Sequence, residues 1–180
     1  PSVASLLRHL GMTPRKSLGQ HFLVSPGVVS KVLSASPVTK RDTVVEIGPG
    51  LGALTGGLAE KAGFVVGLEL DKDLANALST AFKSQTNVRI VHGDALKIDL
   101  ETLVDTNLQY HVVANLPYYA ATAVIRRFLE ATHKPKSLVV TVQREVAKNM
   151  VAAPGNLSLL GIGVQCYGRP RIVAFVQPGS

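Results

Sequence analysis

Residues 44–52 read Val-Val-Glu-Ile-Gly-Pro-Gly-Leu-Gly: a short β-branched run carrying one acid, then glycines at alternate positions 48, 50 and 52. The run has the composition of a buried strand. The glycines predict a turn whose backbone takes conformations closed to other residues. Ala53 to Lys61 follows with a helical pattern. A strand this apolar needs cover on both faces, so the feature points to an α/β domain with a mostly parallel sheet and helices on both sides.

The rest of the chain repeats the alternation. Val3–Leu10 reads as a short helix, and a basic loop follows it. Ser25-Pro26 reads as a cap followed by proline at the first helical position, so a helix is expected over 26–34. Further strands are expected at 43–47, 64–69, 88–91, 111–114, 137–142 and 171–176, and helices at 53–61, 72–82, 122–131 and 145–151. The stretch 157–167 is ambiguous: its glycines argue against a helix and its length against a strand.

In a parallel sheet the carboxyl ends of neighbouring strands converge on one crevice. Glu46 stands near the end of the first expected strand, Glu69 ends the second, and Asp94 follows the third. Ala at 53 breaks the G-x-G-x-x-G spacing of dinucleotide folds. Glu46 would repel a phosphate but suits a ligand amino group. Glu69 lies where an acid can accept both hydroxyls of a ribose, and Asp94 where a carboxylate can accept from an adenine amine. Taken singly, Glu46 could cap a helix and Asp94 could serve a turn. As a set around the Gly48–Gly50 turn, the three acids suit an adenosine that carries positive charge and no phosphate, and S-adenosylmethionine has that chemistry.

Asn115-Leu116-Pro117-Tyr118-Tyr119 follows the fourth expected strand. Alkylating an amine attached to an aromatic ring is difficult because the nitrogen lone pair is delocalised. Two acceptors aimed at its protons draw the nitrogen toward tetrahedral geometry. The Asn115 amide oxygen and the Leu116 carbonyl can be those acceptors, with Pro117 fixing the backbone. Tyr118 offers a face on which a base can stack. The alternative is a Pro-Tyr turn with a capping Asn.

Charge divides the 180 residues into thirds. Residues 1–41 hold six Lys or Arg and no acid, 42–114 five bases and ten acids, and 115–180 eight bases and two acids; the net charge is +7. Two basic flanks around an acidic middle point to a polyanionic partner such as nucleic acid, although a soluble basic protein without one has the same total. No apolar run is long enough to span a membrane. The single Cys166 cannot form an internal disulfide, which favours a reducing compartment. His9, His92, His111 and His133 lack metal-ligand spacing with each other or with Cys166, so no metal is expected.

With these residues in place, the chain resembles the ribosomal RNA adenine N6-dimethyltransferase family, the small-subunit rRNA dimethyladenosine transferases. The likeness runs through residues 16–23 (Lys-Ser-Leu-Gly-Gln-His-Phe-Leu), 46–55, Glu69-Leu70-Asp71, Gly93-Asp94-Ala95, Asn115 to Tyr119, and 142–147 (Val-Gln-Arg-Glu-Val-Ala). It implies a Rossmann-like class I methyltransferase fold. It also implies methyl transfer from S-adenosylmethionine to two adjacent adenosines near the 3′ end of small-subunit rRNA, during maturation of that subunit. On this resemblance Gln20, His21 and Leu23 help cover the cofactor, Gly48 and Gly50 meet its methionine part, and Glu69 with Leu70 holds the ribose. Asp94 with Ala95 holds the adenine, and Asn115 lies between cofactor and target base. Residues 1–41 would form an N-terminal segment over the cofactor site and 42–180 the methyltransferase domain. The resemblance further implies a cytoplasmic monomer acting on a 30S-type precursor particle, or a mitochondrial or nucleolar protein in a eukaryote.

The sequence departs from the family at three places. It stops before an expected Phe-x-Pro-x-Pro run, it lacks the family's last strand and helical C-terminal domain, and 154–157 lacks the usual Tyr-Gly stretch. A chain of this extent is expected to bind the cofactor and to methylate slowly. Two rivals remain: a large-subunit rRNA adenine methyltransferase of the macrolide-resistance type, and a non-catalytic RNA-binding assembly factor on the same fold. A dehydrogenase is disfavoured by Ala53 and Glu46.

Overall fold

The structure, a computed structural model, describes Leu23 and residues 25–176. The expected helix at 3–10, Gln20 and His21 lie outside the described residues.

Five parallel strands form one sheet: β1 Thr43–Ile47, β2 Phe64–Glu69, β3 Val88–His92, β4 Tyr110–Asn115 and β5 Ser137–Thr141, in the spatial order β3-β2-β1-β4-β5. The order reverses beside β1, so chain leaving β1 and chain leaving β4 diverge and open a crevice between them. Side chains alternate between the faces of each strand. On one face Val45, Val66 and Val112 pack with helix α4 (Ala121–Glu130), which contributes Val124, Ile125 and Phe128. Met150 of α5 (Arg144–Met150) and Leu160 and Val164 of α6 (Leu159–Tyr167) extend that cluster. On the other face Val44, Val65 and Val113 pack with α2 (Ala53–Lys61) through Leu54, Leu58 and Ala59, and with Val29, Val32 and Leu33 of α1 (Pro26–Ala35). Helix α3 (Lys72–Ala81) buries Leu74, Ala75 and Leu78. Each such fully buried aliphatic side chain stabilises the fold by about 1.5–3 kcal/mol.

Local chemistry sets the element ends. Helix α1 starts at Pro26, and its first free N–H groups are taken by the Ser25 carbonyl; the Ser25 hydroxyl makes no cap. Its last carbonyls are capped by Lys61 of α2, whose Nζ donates to Leu33 O (2.6 Å) and Ser36 O (2.5 Å). Asp71 caps α3 by accepting from the N–H groups of Asp73 and Leu74.

Two expectations change. The ambiguous stretch forms helix α6 over Leu159–Tyr167, capped by Ser158, which accepts from the Gly161 N–H at 3.1 Å. Gly161 is compatible with that helix because α6 approaches the end of α5 closely: a Cβ there would stand 2.5 Å from the Asn149 carbonyl. The sixth strand expected at 171–176 does not form. Those residues belong to no helix or strand, and Val173, Phe175 and Val176 are exposed. An apolar, β-branched run makes a strand only beside a pairing edge, and no described strand pairs with this segment.

Candidate functional site

A cavity of about 310 Å³ opens at the carboxyl ends of β1, β2 and β4 and the loop after β3. The size is that of a small-ligand site. The glycine turn makes its floor. Gly48, Gly50 and Gly52 all have positive φ (70°, 60° and 81°), which explains their alternate spacing. At Gly48 a Cβ would point toward the Asn115 carbonyl, 3.8 Å away, so the β1 and β4 loops meet there with the backbone bare.

Glu69 ties the turn to β2. One carboxylate oxygen accepts from the Gly50 N–H (2.9 Å) and the other from the Asp71 N–H (3.0 Å). Burial nonetheless raises its pKa, with those N–H groups opposing the shift. Glu46 lies deeper: it is 1% exposed, and Oε2 accepts from the Thr55 hydroxyl at 2.7 Å. Burial pushes its pKa up to about 8; the Thr55 hydrogen bond works against the shift and the nearby Glu69 adds to it. Asp94 accepts from the Leu96 N–H at 2.8 Å, so it serves its own turn and lines the cavity at once. Glu46, Glu69 and Asp94 are the acids in the described wall, and that wall contains no Lys, Arg or His. A ligand carrying positive charge is thereby favoured and a phosphate disfavoured.

The catalytic candidates sit at the other side of the same opening. Asn115 ends β4 opposite Thr141 of β5, and the Leu116 N–H donates to the Thr141 carbonyl at 3.2 Å. The Pro117 carbonyl accepts from the N–H groups of Ala120 and Ala121, locking the loop into the start of α4.

Of the residues named from the sequence, Leu23, Glu46, Gly48, Gly50, Glu69, Leu70, Asp94, Ala95, Asn115, Leu116 and Pro117 all line this one cavity. Tyr118 stands beside it, 53% exposed, and the wall is formed by Tyr119 instead. The sequence reading also missed Leu96, which faces the opening with Leu70; both are about 40% exposed. An apolar residue two positions after Asp94, in a loop that should be wet, was the available signal for Leu96.

Comparison with known proteins places this arrangement. The family model "Ribosomal RNA adenine dimethylase" matches residues 11–179. A ribosomal RNA small subunit methyltransferase A from Dehalococcoides mccartyi (strain CBDB1) is 51% identical over 166 residues, covering 92% of this chain and 57% of that protein. The chain thus spans little more than half the length of that relative. Among solved structures, a dimethyladenosine transferase from Plasmodium falciparum superposes with a TM-score of 0.70 at 28% identity, over 81% of this chain and 52% of the other. The 23S rRNA methyltransferase ErmE gives 0.67 at 25%, over 77% and 54%. The five-stranded sheet is therefore that of the methyltransferases dependent on S-adenosylmethionine, and by family match and identity alike the chain belongs to the ribosomal RNA adenine dimethylases.

Proposed function

We propose that this chain carries the catalytic part of a small-subunit rRNA adenine N6-dimethyltransferase, moving methyl groups from S-adenosylmethionine to two adjacent adenosines near the 3′ end of that rRNA. The observation that carries the reading is the meeting of the Asn115-Leu116-Pro117 loop with the acid-lined glycine turn in one cavity.

The wall fits the nucleoside. Glu69 is fixed at the end of β2, where both ribose hydroxyls can donate to it. Asp94 reaches the adenine amine, with Leu70 and Leu96 as apolar covers for the ring. Glu46 lies on the side of Gly48, toward the methionine amino group. When bound, S-adenosylmethionine supplies a methyl carbon on a sulfonium leaving group. The chain's own residues then orient the acceptor. The Asn115 amide oxygen and the Leu116 carbonyl accept the two N6 protons, and Tyr118 stacks on the base, worth ~1–3 kcal/mol. No general base is needed for the displacement, since the ammonium product loses its proton readily to water. Catalysis is alignment and electrostatics, and alignment alone can supply ~7–11 kcal/mol.

Exposed basic residues after β5 are candidates for contact with RNA. Helix α5 follows β5, the neighbour of β4, and presents Arg144 and Lys148. Single-stranded loops, whose bases can be splayed out, are the RNA elements such a site can use. The test is transfer of labelled methyl to small-subunit particles lacking the modification, with protein-free large-subunit RNA in parallel. Label on adjacent small-subunit adenosines is expected. Label on the large-subunit RNA alone would favour the macrolide-resistance type, and equal RNA binding by wild type and Asn115→Ala with no label from either would favour an assembly factor.

A further inference from the structure

Two buried carboxylates, Glu46 and Glu69, line the same cavity, and no basic side chain balances them in the described wall. Glu46 is the more enclosed, at 1% exposure against 6% for Glu69. The groups around it come from each neighbouring element. Helix α2 offers the Thr55 hydroxyl, itself fully buried; β2 offers Glu69; the loops after β3 and β4 offer Asp94 and the Asn115 amide along the same wall. Glu69 is already held by two backbone N–H groups, whereas the hydrogen bond shown for the Glu46 carboxyl is that of Thr55. Two such carboxylates cannot both carry charge cheaply in an apolar enclosure. A ligand ammonium changes the balance by supplying the missing cation.

We propose that seating an α-amino nucleoside ligand expels one proton from the Glu46 carboxyl, and that Thr55 is the positioning residue that holds the resulting carboxylate toward the ligand's ammonium group. The inference rests on the cofactor reading above and adds a proton to its stoichiometry. The carboxyl O–H bond breaks, its electron pair stays on Glu46, and the proton passes to solvent. Because the Thr55 hydroxyl donates to the ionised form, it makes that loss easier. With the acid titrating near 8 in the ligand-free chain, affinity rises by up to roughly tenfold per pH unit below that value, until the complex itself protonates.

The test is calorimetric titration with S-adenosylhomocysteine at pH 7 in buffers of different ionisation enthalpy, with 5′-methylthioadenosine as the probe that shares the nucleoside and lacks the amino acid. Release of about one proton is expected with the first and about none with the second. Affinity for the first should increase between pH 5.5 and 7.5, a range in which the ligand's own amino-acid ammonium group stays protonated. Glu46→Gln should abolish the release. Thr55→Val should move the pH profile upward, and Thr55→Ser should restore it; a merely structural role would move melting temperature and leave the profile in place. If both nucleosides bind and neither releases a proton, this inference falls and the cofactor reading stands. If neither binds, both fall.

Discussion

At the scale of single residues the account depends on Asn115. Asn115 ends β4 opposite Thr141, with its main-chain carbonyl beside the bare Gly48 backbone. If it aligns the target amine and little else, Asn115→Ala should lower the rate of methyl transfer by roughly 10²–10³-fold, the usual effect of losing one aligned polar group. Affinity for S-adenosylhomocysteine should change by no more than about threefold, as read by calorimetry. Glu69→Ala should do the opposite and weaken that affinity first, because it removes both the ribose acceptor and the tie to Gly50. Glu46 gives a signed stability prediction. An acid whose folded pKa stands near 8 against an ordinary 4.5 keeps its proton in the fold while the unfolded chain loses it. The ligand-free protein is therefore destabilised as pH rises from about 4.5 to about 8. Glu46→Gln should remove that decline, raising the melting temperature at pH 8 and leaving it nearly unchanged at pH 4.5. The gathering of Glu46, Glu69 and Asp94 at one cavity is legible in sequence, because acids at successive strand ends have few structural uses in common. Tyr119 is not legible as the wall residue in place of Tyr118, since two adjacent tyrosines in a loop look alike in sequence, and Leu96 has only the weak signal of an apolar residue just after Asp94.

At the scale of elements, the central strands β1, β2 and β4 are legible because they are mostly apolar and buried on both faces, as central parallel strands must be. Helix α6 is not, because close packing against α5 calls for glycine at 161, and glycine is the residue that argues against a helix. The segment 171–176 shows the converse: a continuous apolar run has the composition of a strand and says nothing about its partner. Two elements carry their own predictions. The starts of β1, β4 and β5 meet at His111, which is 2% exposed. Its Nδ1 lies 2.7 Å from the Ser137 hydroxyl, and its Nε2 lies 3.7 Å from Asp42, too far for a hydrogen bond. Burial pushes its pKa below the ordinary 6.5, although Asp42 pulls the other way and Lys136 adds to the lowering. Below pH 6.5 the unfolded chain takes up a proton that the folded chain resists, so stability falls as pH drops through that value and levels off once the folded His111 protonates. Because Glu46 tilts stability the opposite way over this range, the acid limb should be read in a Glu46→Gln background: denaturant unfolding across pH 5–8 should show it there, and adding His111→Gln should flatten it. Helix α5 gives the second prediction. Arg144 begins it, with its guanidinium 4.9 Å from the centre of the Phe175 ring. If Arg144 contacts an RNA phosphate, Arg144→Ala should weaken RNA binding and reduce the salt slope by about one, with S-adenosylhomocysteine affinity unchanged; an unaltered salt slope would remove Arg144 from the interface.

At the scale of the molecule, the chain is a doubly wound sheet that brings two loops from either side of its reversal point onto one opening. The acidic middle of the sequence supplies the charged residues in the described wall of that opening: Glu46, Glu69 and Asp94. Among the described residues no helix is long and apolar enough to cross a membrane. What the whole arrangement asserts is an orientation: a nucleoside stretched across the strand tips, from Asp94 through Glu69 to Glu46, with its sulfur turned toward Asn115. A crystal structure of the chain with S-adenosylhomocysteine tests this directly. The account predicts the adenine amine at Asp94, both ribose hydroxyls on Glu69, the amino group on the Glu46 side, and room for a purine between the sulfur and the Asn115 amide. A ligand bound outside the cavity, or one whose sulfur faces away from Asn115, would contradict it.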